Sequence, residues 1–316
     1  MKLEDVEVLI TGGTGFIGSH LVRDLVGRGA RVSVLTRRGS NPWRLRDVLD
    51  DIKIVYADIT KFEETQKIVR QICPEKVYHL AAYVDVGRGI DRLQSAIKVN
   101  LQGTLNLLRS LQDVDFNCFV NAGTVEEYGT NPVPFKETMR EMPVSPYSAS
   151  KVATTHFCQM LYRTQGMPIV VVRPFLTYGP FQDGKMLIPS LIQSCLEKKN
   201  FEMTKGEQTR EFNYVEDIVE GFILASVHKK ALGEVINLGN GKEYSVREVA
   251  VMINEMFGNP IKLLFGAKPY RKTEIWRIFC DNSKAKRLLR WRPRHSLEEG
   301  LKKTVEWYKS EKRRSS

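Results

Sequence analysis

Residues 8–20, Val-Leu-Ile-Thr-Gly-Gly-Thr-Gly-Phe-Ile-Gly-Ser-His, limit what this chain can fold into more than any other stretch. Residues 6–10 form a short apolar run that reads as a buried strand. Leu21, Val22 and Leu25 follow at helical spacing, and Gly12, Gly13, Gly15 and Gly18 lie between. Strand, glycine turn and helix in that order bring a backbone close to a pyrophosphate. The helix N-terminus then offers it unpaired amides and a partial positive charge. A glycine cluster alone is weak; between a strand and an amphipathic helix it points to a nucleotide cofactor.

The pattern continues along the chain. Residues 31–36, 53–56, 76–80, 117–122 and 169–172 read as further strands, and 235–238 as one that returns to the same sheet. Helical spacing begins near Lys61, covers 91–112, runs from about Tyr147 to Thr164, lies within 212–226 and closes the chain over 297–309. Such alternation predicts an α/β fold, a Rossmann-type doubly wound parallel sheet with ligands at the carboxyl ends of its strands. Beyond Pro174 the alternation fades. Residues 1–174 with about 212–240 are therefore expected to form the dinucleotide-binding domain. Residues 175–211 and 241–316 are expected to form a smaller mixed α/β substrate portion.

Size and charge exclude several classes. The 316 residues suffice for one large core or two modest ones. No apolar run approaches the ~20 residues that span a bilayer, and the chain runs directly into its first strand, so no cleavable signal peptide is expected. Five scattered cysteines, at 73, 118, 158, 195 and 280, suit neither a metal site nor a disulfide framework, which makes a reducing cytoplasm the expectation. The net charge of +11 suits either a nucleic acid or phosphorylated small molecules. The basic residues are dispersed, apart from a tail at Lys312-Arg313-Arg314 that reads as a frayed end, so the second reading is favoured and no nucleic-acid partner is expected.

The strand ends carry the candidate chemistry. The second strand ends in Thr36-Arg37-Arg38, with no acid to meet a ribose 2′-hydroxyl. Two guanidiniums suit a 2′-phosphate, which favours NADP(H) over NAD(H). Asp58, after the third strand, can accept from an adenine amino group or merely cap the following helix. Ala81-Ala82 allow close backbone approach after the fourth strand. Tyr147 and Lys151 stand four residues apart on one helical face. An ammonium near a phenol favours the phenolate, so Tyr147 can take a proton from a sugar hydroxyl as hydride leaves its carbon. Thr124 is placed to hydrogen-bond the same oxygen.

The chain resembles the extended short-chain dehydrogenase/reductase family of nucleotide-sugar epimerases, dehydratases and reductases. The resemblance rests on Thr11-Gly12-Gly13-Thr14-Gly15-Phe16-Ile17-Gly18, His79-Leu80-Ala81-Ala82, Tyr147-Ser148-Ala149-Ser150-Lys151 and Tyr178-Gly179-Pro180. Gln208-Thr209-Arg210-Glu211-Phe212 and Leu297-Glu298-Glu299-Gly300-Leu301 extend it over nearly the whole length. It implies a cofactor held by Gly12, Gly15, Phe16, Ile17, Gly18, Arg37, Arg38, Asp58, Ile59, Leu80, Ala81, Ala82, Asn100, Tyr147 and Lys151. It implies catalysis by Thr124, Tyr147, Lys151 and Glu126, and a nucleotide-sugar substrate held by Thr124, Leu176, Arg210, Arg271 and Glu274. No metal site is implied.

Departures from the family pattern bear on the substrate. Leu176-Thr177 stands where many members have an asparagine, and Val84-Asp85 where many have a serine. In Thr124-Val125-Glu126-Glu127-Tyr128-Gly129 an inert Val125 precedes Glu126, at places where 4,6-dehydratases carry acids. The Glu-Glu-Tyr-Gly run also resembles reductases of 4-keto sugar nucleotides. An NADPH-dependent 4-keto reductase is the first expectation, with a 4-epimerase or 4,6-dehydratase that retains its cofactor as the alternative. A non-catalytic nucleotide-binding regulator is disfavoured by the joint presence of Tyr147 and Lys151. The resemblance also implies a homodimer, with Phe157, Met160 and Leu161 expected against Leu107 and Leu111 of a second copy.

Overall fold

The computed structural model describes residues 2–271 and 274–315, with side chains as far as Arg313. Its centre is a seven-stranded sheet. The strands are β1 (Glu7–Thr11), β2 (Arg31–Thr36), β3 (Ile52–Tyr56), β4 (Lys76–His79), β5 (Cys118–Ala122), β6 (Ile169–Pro174) and a late strand, Val235–Leu238. All are parallel, and the order across the sheet is late strand, β6, β5, β4, β1, β2, β3. The order reverses between β1 and β4, where Val8 faces Val32 on one side and Lys76 on the other.

Both faces are buried, so the strands read as apolar runs rather than as alternations. Val8, Ile10, Val34, Val120 and Val172 pack against α1 (Phe16–Gly27) and a helix over Val215–Val227. Leu9, Leu35, Val77, Phe119 and Val171 pack on the other face, with Val69 of α2 (Phe62–Ile72) and with Leu107, Leu108 and Leu111. Each such fully buried side chain contributes roughly 1.5–3 kcal/mol. A third cluster, with Tyr178, Leu191, Tyr214, Ile253 and Leu301, lies in the later chain. Ala285, Leu289 and Trp291, though late in sequence, join the sheet's core.

The stretch expected as one helix over 91–112 is not uniform. It passes from a 3₁₀ turn, Ile90–Arg92, through α3 (Leu93–Ala96) and a π-helical segment, Ile97–Gln102, to α4 (Gly103–Ser110). The π segment turns Asn100 inward, where its amide is fully bonded. α5 (Pro146–Gln165) follows β5, opened by a reciprocal Ser145–Ser148 cap with Pro146 in the first turn.

Two expectations are corrected here. Leu107 and Leu111 are wholly buried inside the chain, so they cannot meet a second copy. The exposed apolar side chains of this region include Ile90, Leu93, Ile97, Phe157 and Tyr162. The basic tail does not fray. The last helix runs from Leu297 to Ser315, because nothing after residue 309 breaks it and Glu311 pairs with Arg46 at 2.7 Å. Among the described residues the five cysteines are free, no cluster could hold a metal, and no helix is long and apolar enough to cross a membrane.

Candidate active site

The glycine turn leads from β1 into α1. Gly12 has φ +73°, and a Cβ there would lie 2.6 Å from the backbone of Leu80 and Ala81. A Cβ on Gly18 would strike the Gly12 carbonyl oxygen. β1, α1 and the end of β4 therefore meet only if these residues are glycine. Gly15 is the N-cap of α1 and supplies no side-chain cap, and no acid occupies the first turn at Phe16, Ile17 and Gly18. The turn thus presents uncapped amides at a positive helix end, which fits a pyrophosphate.

Asp58 and Ile59 follow β3. Asp58 does not cap α2, whose N-cap is Lys61; one carboxylate oxygen accepts from the Thr60 amide and hydroxyl at 3.0 and 2.9 Å. Burial opposes its ionisation, but the Thr60 bonds and the charge of Arg37 hold it below the ordinary range. Ile59 is buried against Gly103, so only its backbone can face a ligand. Arg37 and Arg38 are exposed just past β2, with Arg38 over the Tyr56 ring at 6.0 Å.

A buried polar chain joins this cradle to α5. Thr11 Oγ1 lies 2.6 Å from His79 Nδ1, and His79 Nε2 lies 2.8 Å from Thr104 Oγ1. Thr104 donates to the Asn100 carbonyl at 2.5 Å. Asn100 accepts from the Tyr83 amide at 2.7 Å, and its amide group donates to the Tyr83 carbonyl and to Ser150 Oγ. Ser150 in turn donates to the Tyr147 carbonyl at 2.7 Å. Asn100, expected to touch the cofactor, also ties the strand-end loop to α5 through its side chain. Burial holds His79 neutral, with a pKa lowered to about 3.

Thr124, Tyr147 and Lys151 come together at the end of β5. Lys151 Nζ donates to the Ala122 carbonyl at 2.7 Å. Burial lowers its pKa to about 8, against the nearby charge of Glu127. Burial also pushes Tyr147 up to about 12; interaction with the Thr124 hydroxyl opposes this, while Glu127 and Glu126 add to it. The Lys151 charge expected to favour the phenolate is outweighed here. Within the protein, desolvation and two carboxylates dominate and keep Tyr147 protonated. Thr124 Oγ1 accepts from the Glu126 amide at 3.3 Å.

Glu126 is half-buried, and its carboxylate has no hydrogen-bond or ion-pair partner among the described residues. Burial raises its pKa, opposed by the charges of Arg210, Arg88 and Arg271. Arg210 is pinned by Glu274 at 2.6 Å and donates to the Thr209 carbonyl at 2.8 Å, so residues 64 apart in sequence share one place. Arg271 is exposed beside them. Leu176 packs into the third cluster.

Sequence reasoning overlooked Arg88 and Glu127. Glu127 is fully buried and paired with Arg173 at 2.6 Å. A lone arginine closing the apolar run 169–172 was a usable signal, because a buried guanidinium requires a buried carboxylate.

A family model described as GDP-mannose 4,6 dehydratase matches residues 9–304. The chain is 33% identical to a UDP-glucuronate 4-epimerase of Thermodesulfobacterium geofontis, covering 95% of each. It is also 33% identical to dTDP-glucose 4,6-dehydratase 1 of Escherichia coli, covering 96% of this chain and 93% of that one. Among solved structures it superposes, with a TM-score of 0.85 and 29% identity, on the UDP-glucuronic acid 4-epimerase of Bacillus cereus in complex with UDP-glucuronic acid and NAD, covering 96% of this chain and 99% of that one.

Proposed function

We propose a C4 oxidation–reduction cycle on a nucleotide-activated sugar for this chain, which belongs to the extended short-chain dehydrogenase/reductase family, the nucleotide-sugar epimerases and dehydratases. The chain is an enzyme of that type. The observation that carries the proposal is the gathering of Thr124, Tyr147 and Lys151 at the end of β5, beside the glycine cradle and a carboxylate faced by arginines.

The amides following Gly12 and Gly15, with Phe16, Ile17 and Gly18, would hold the cofactor pyrophosphate. Leu80, Ala81 and Ala82 would wall it, and Asp58 and Ile59 would meet the adenine. When bound, NAD supplies a hydride acceptor and a ring charge that favours the Tyr147 phenolate. Tyr147 then takes the proton of the C4 hydroxyl, Thr124 orients that oxygen and Lys151 holds the nicotinamide ribose. Arg210, fixed by Glu274, and Arg271 bind the diphosphate.

Glu126 bears on the later chemistry at C5. An epimerase needs no carboxylate there, whereas loss of water needs a group that moves a proton. Its unpaired, half-buried state favours a 4,6-dehydratase, with Val125 leaving it as the single acid of its motif. Arg37 and Arg38 support a second reading, the NADPH-dependent reduction of a 4-keto sugar nucleotide.

One experiment separates these outcomes. The purified chain is incubated in D₂O with UDP-, dTDP- and GDP-hexoses, and products are read by mass spectrometry. A 4-keto product carrying solvent deuterium at C5 supports dehydration. An epimer without deuterium supports epimerisation. Consumption of added NADPH with a 4-keto sugar nucleotide supports reduction. No turnover of any of them removes the proposal.

The exposed Leu93, Ile97 and Phe157 support a homodimer across this helical face, and the free, mostly buried cysteines support a cytoplasmic location.

A further inference from the structure

We infer that Glu127 is a positioning residue of the catalytic site, because one carboxylate oxygen fixes the backbone of Thr124 while the other holds helix α5 and Arg173 at the same point. The inference rests on the roles proposed above for Tyr147 and Lys151.

Glu127 Oε1 accepts from the Thr124 amide at 2.8 Å. Its Oε2 accepts from the Thr155 hydroxyl at 2.8 Å and from Arg173 Nε and Nη2 at 3.0 and 2.6 Å. Glu127 and Arg173 are both 0% exposed. Thr155 stands one helical turn beyond Lys151, which stands one turn beyond Tyr147, so the three form a single stripe of α5. Glu127 thus grips the same face that carries the proposed reacting pair. The fit is close: a Cβ on Gly123 would lie 2.6 Å from Glu127 Oε1.

The surrounding charges do not cancel. Arg173 also donates to Glu141 at 2.7 Å, with His156 3.6 Å behind that carboxylate, and its guanidinium lies 4.7 Å from the Tyr128 ring. Two carboxylates share one guanidinium, leaving a net negative charge. From α5, Tyr147, Lys151 and Cys158 feel Glu127. On its own segment the neighbouring titratable side chains are Glu126 and Tyr128. Burial alone drives Lys151 toward its neutral form, and Glu127 is the first of the charges that resist this. An ion pair costs desolvation wherever it is buried, and this one keeps an ammonium charged where a cofactor ribose is to be held.

The test titrates the full-length protein, with ¹³Cε-labelled lysine observed by NMR and the Lys151 resonance assigned through Lys151→Met. Glu127→Gln keeps the shape and removes the charge. The Lys151 midpoint, about 8 in the parent, is expected to fall by roughly one pH unit. Thr155→Val removes one hydrogen bond and keeps the charge, and the midpoint is expected to stay. An unmoved midpoint in folded Glu127→Gln, or an equal shift in Thr155→Val, overturns the inference. If Glu127→Gln fails to fold because Arg173 is left underpaired, Glu127→Gln with Arg173→Met removes both buried charges; a smaller fall in the same direction is expected, because an opposing positive charge leaves with the carboxylate, and an unmoved or raised midpoint overturns the inference. The readout needs no turnover, so inactivity of the parent on every sugar nucleotide would sink the proposed function and leave this measurement standing.

Discussion

The ammonium of Lys151 rests 2.7 Å from the carbonyl oxygen of Ala122, the last residue of β5, and the residue is only 3% exposed. One backbone acceptor is a modest return for burying a charge, and the pKa falls from 10.5 to about 8 as a result. Below about pH 8 the lysine is charged in both folded and unfolded chains, so the folded state bears the whole cost. Between that value and 10.5 the unfolded chain binds more protons, and stability rises with pH. Lys151→Met should therefore raise the melting temperature at pH 7 through relief of about 3 kcal/mol, less about 1 kcal/mol for the lost hydrogen bond. The gain should fade as pH rises toward 10. Turnover should drop at least ~100-fold in the same variant. A Lys151→Met protein less stable than the parent at pH 7 would count against this account.

Tyr147 is held protonated by burial and by Glu127 and Glu126, so the chain by itself supplies a proton donor and not a base. In the C4-oxidation direction the single-turnover rate of the parent should climb with pH through the neutral range. Tyr147→Phe should lose that slope and about 10²–10⁴ of the rate. Its affinity for NAD, followed by fluorescence quenching, should be nearly unchanged, because the proposed role of the phenol is at the substrate oxygen. Full activity in Tyr147→Phe would show that another group moves the proton.

The Glu126 carboxylate has no partner among the described residues, and burial raises its pKa against three arginines. Glu126→Gln should still form reduced cofactor, seen as a transient at 340 nm, while solvent deuterium no longer enters the product. Arg210 is the foremost of the opposing charges, so Arg210→Met should raise the Glu126 midpoint further and move that limb of the kcat profile to higher pH. Retention of deuterium incorporation in Glu126→Gln would remove this residue from the chemistry.

The legible parts were local. Val8-Leu9-Ile10 is apolar because both sheet faces are covered, and the glycines stand directly between that run and the helical spacing of Leu21, Val22 and Leu25, so strand and turn could be read from neighbouring letters, although the close approach that requires Gly12 is to Leu80 and Ala81. Glu127 was only half legible: Arg173 closes the apolar run 169–172 and so announces a buried carboxylate, but which acid answers it, 46 residues away, is a tertiary fact. The π-helical turn at Ile97–Gln102 was hidden for a related reason. Its driving force is the pairing of Asn100 with Tyr83 and Ser150, a tertiary contact laid over spacing that otherwise suits an α-helix.

The apolar face of the helical pair offers the clearest distinction between core and contact. Leu107 lies in the sheet-side cluster with Phe119 and Val171 and is fully buried, whereas Phe157 is 39% exposed and Ile97 44% exposed. A charge at Leu107 must be desolvated within one chain, with no partner near it, so Leu107→Glu should unfold the protein by several kcal/mol. A charge at Phe157 or Ile97 remains in water when the chain is alone and is buried only against a second copy. Phe157→Glu with Ile97→Asp should therefore keep the parent's circular dichroism and melting temperature at low concentration, yet sediment as a monomer where the parent sediments as a dimer. A dimer that survives the double substitution would move the contact to another surface. Soluble, folded Leu107→Glu would show that the side chain is not part of the core.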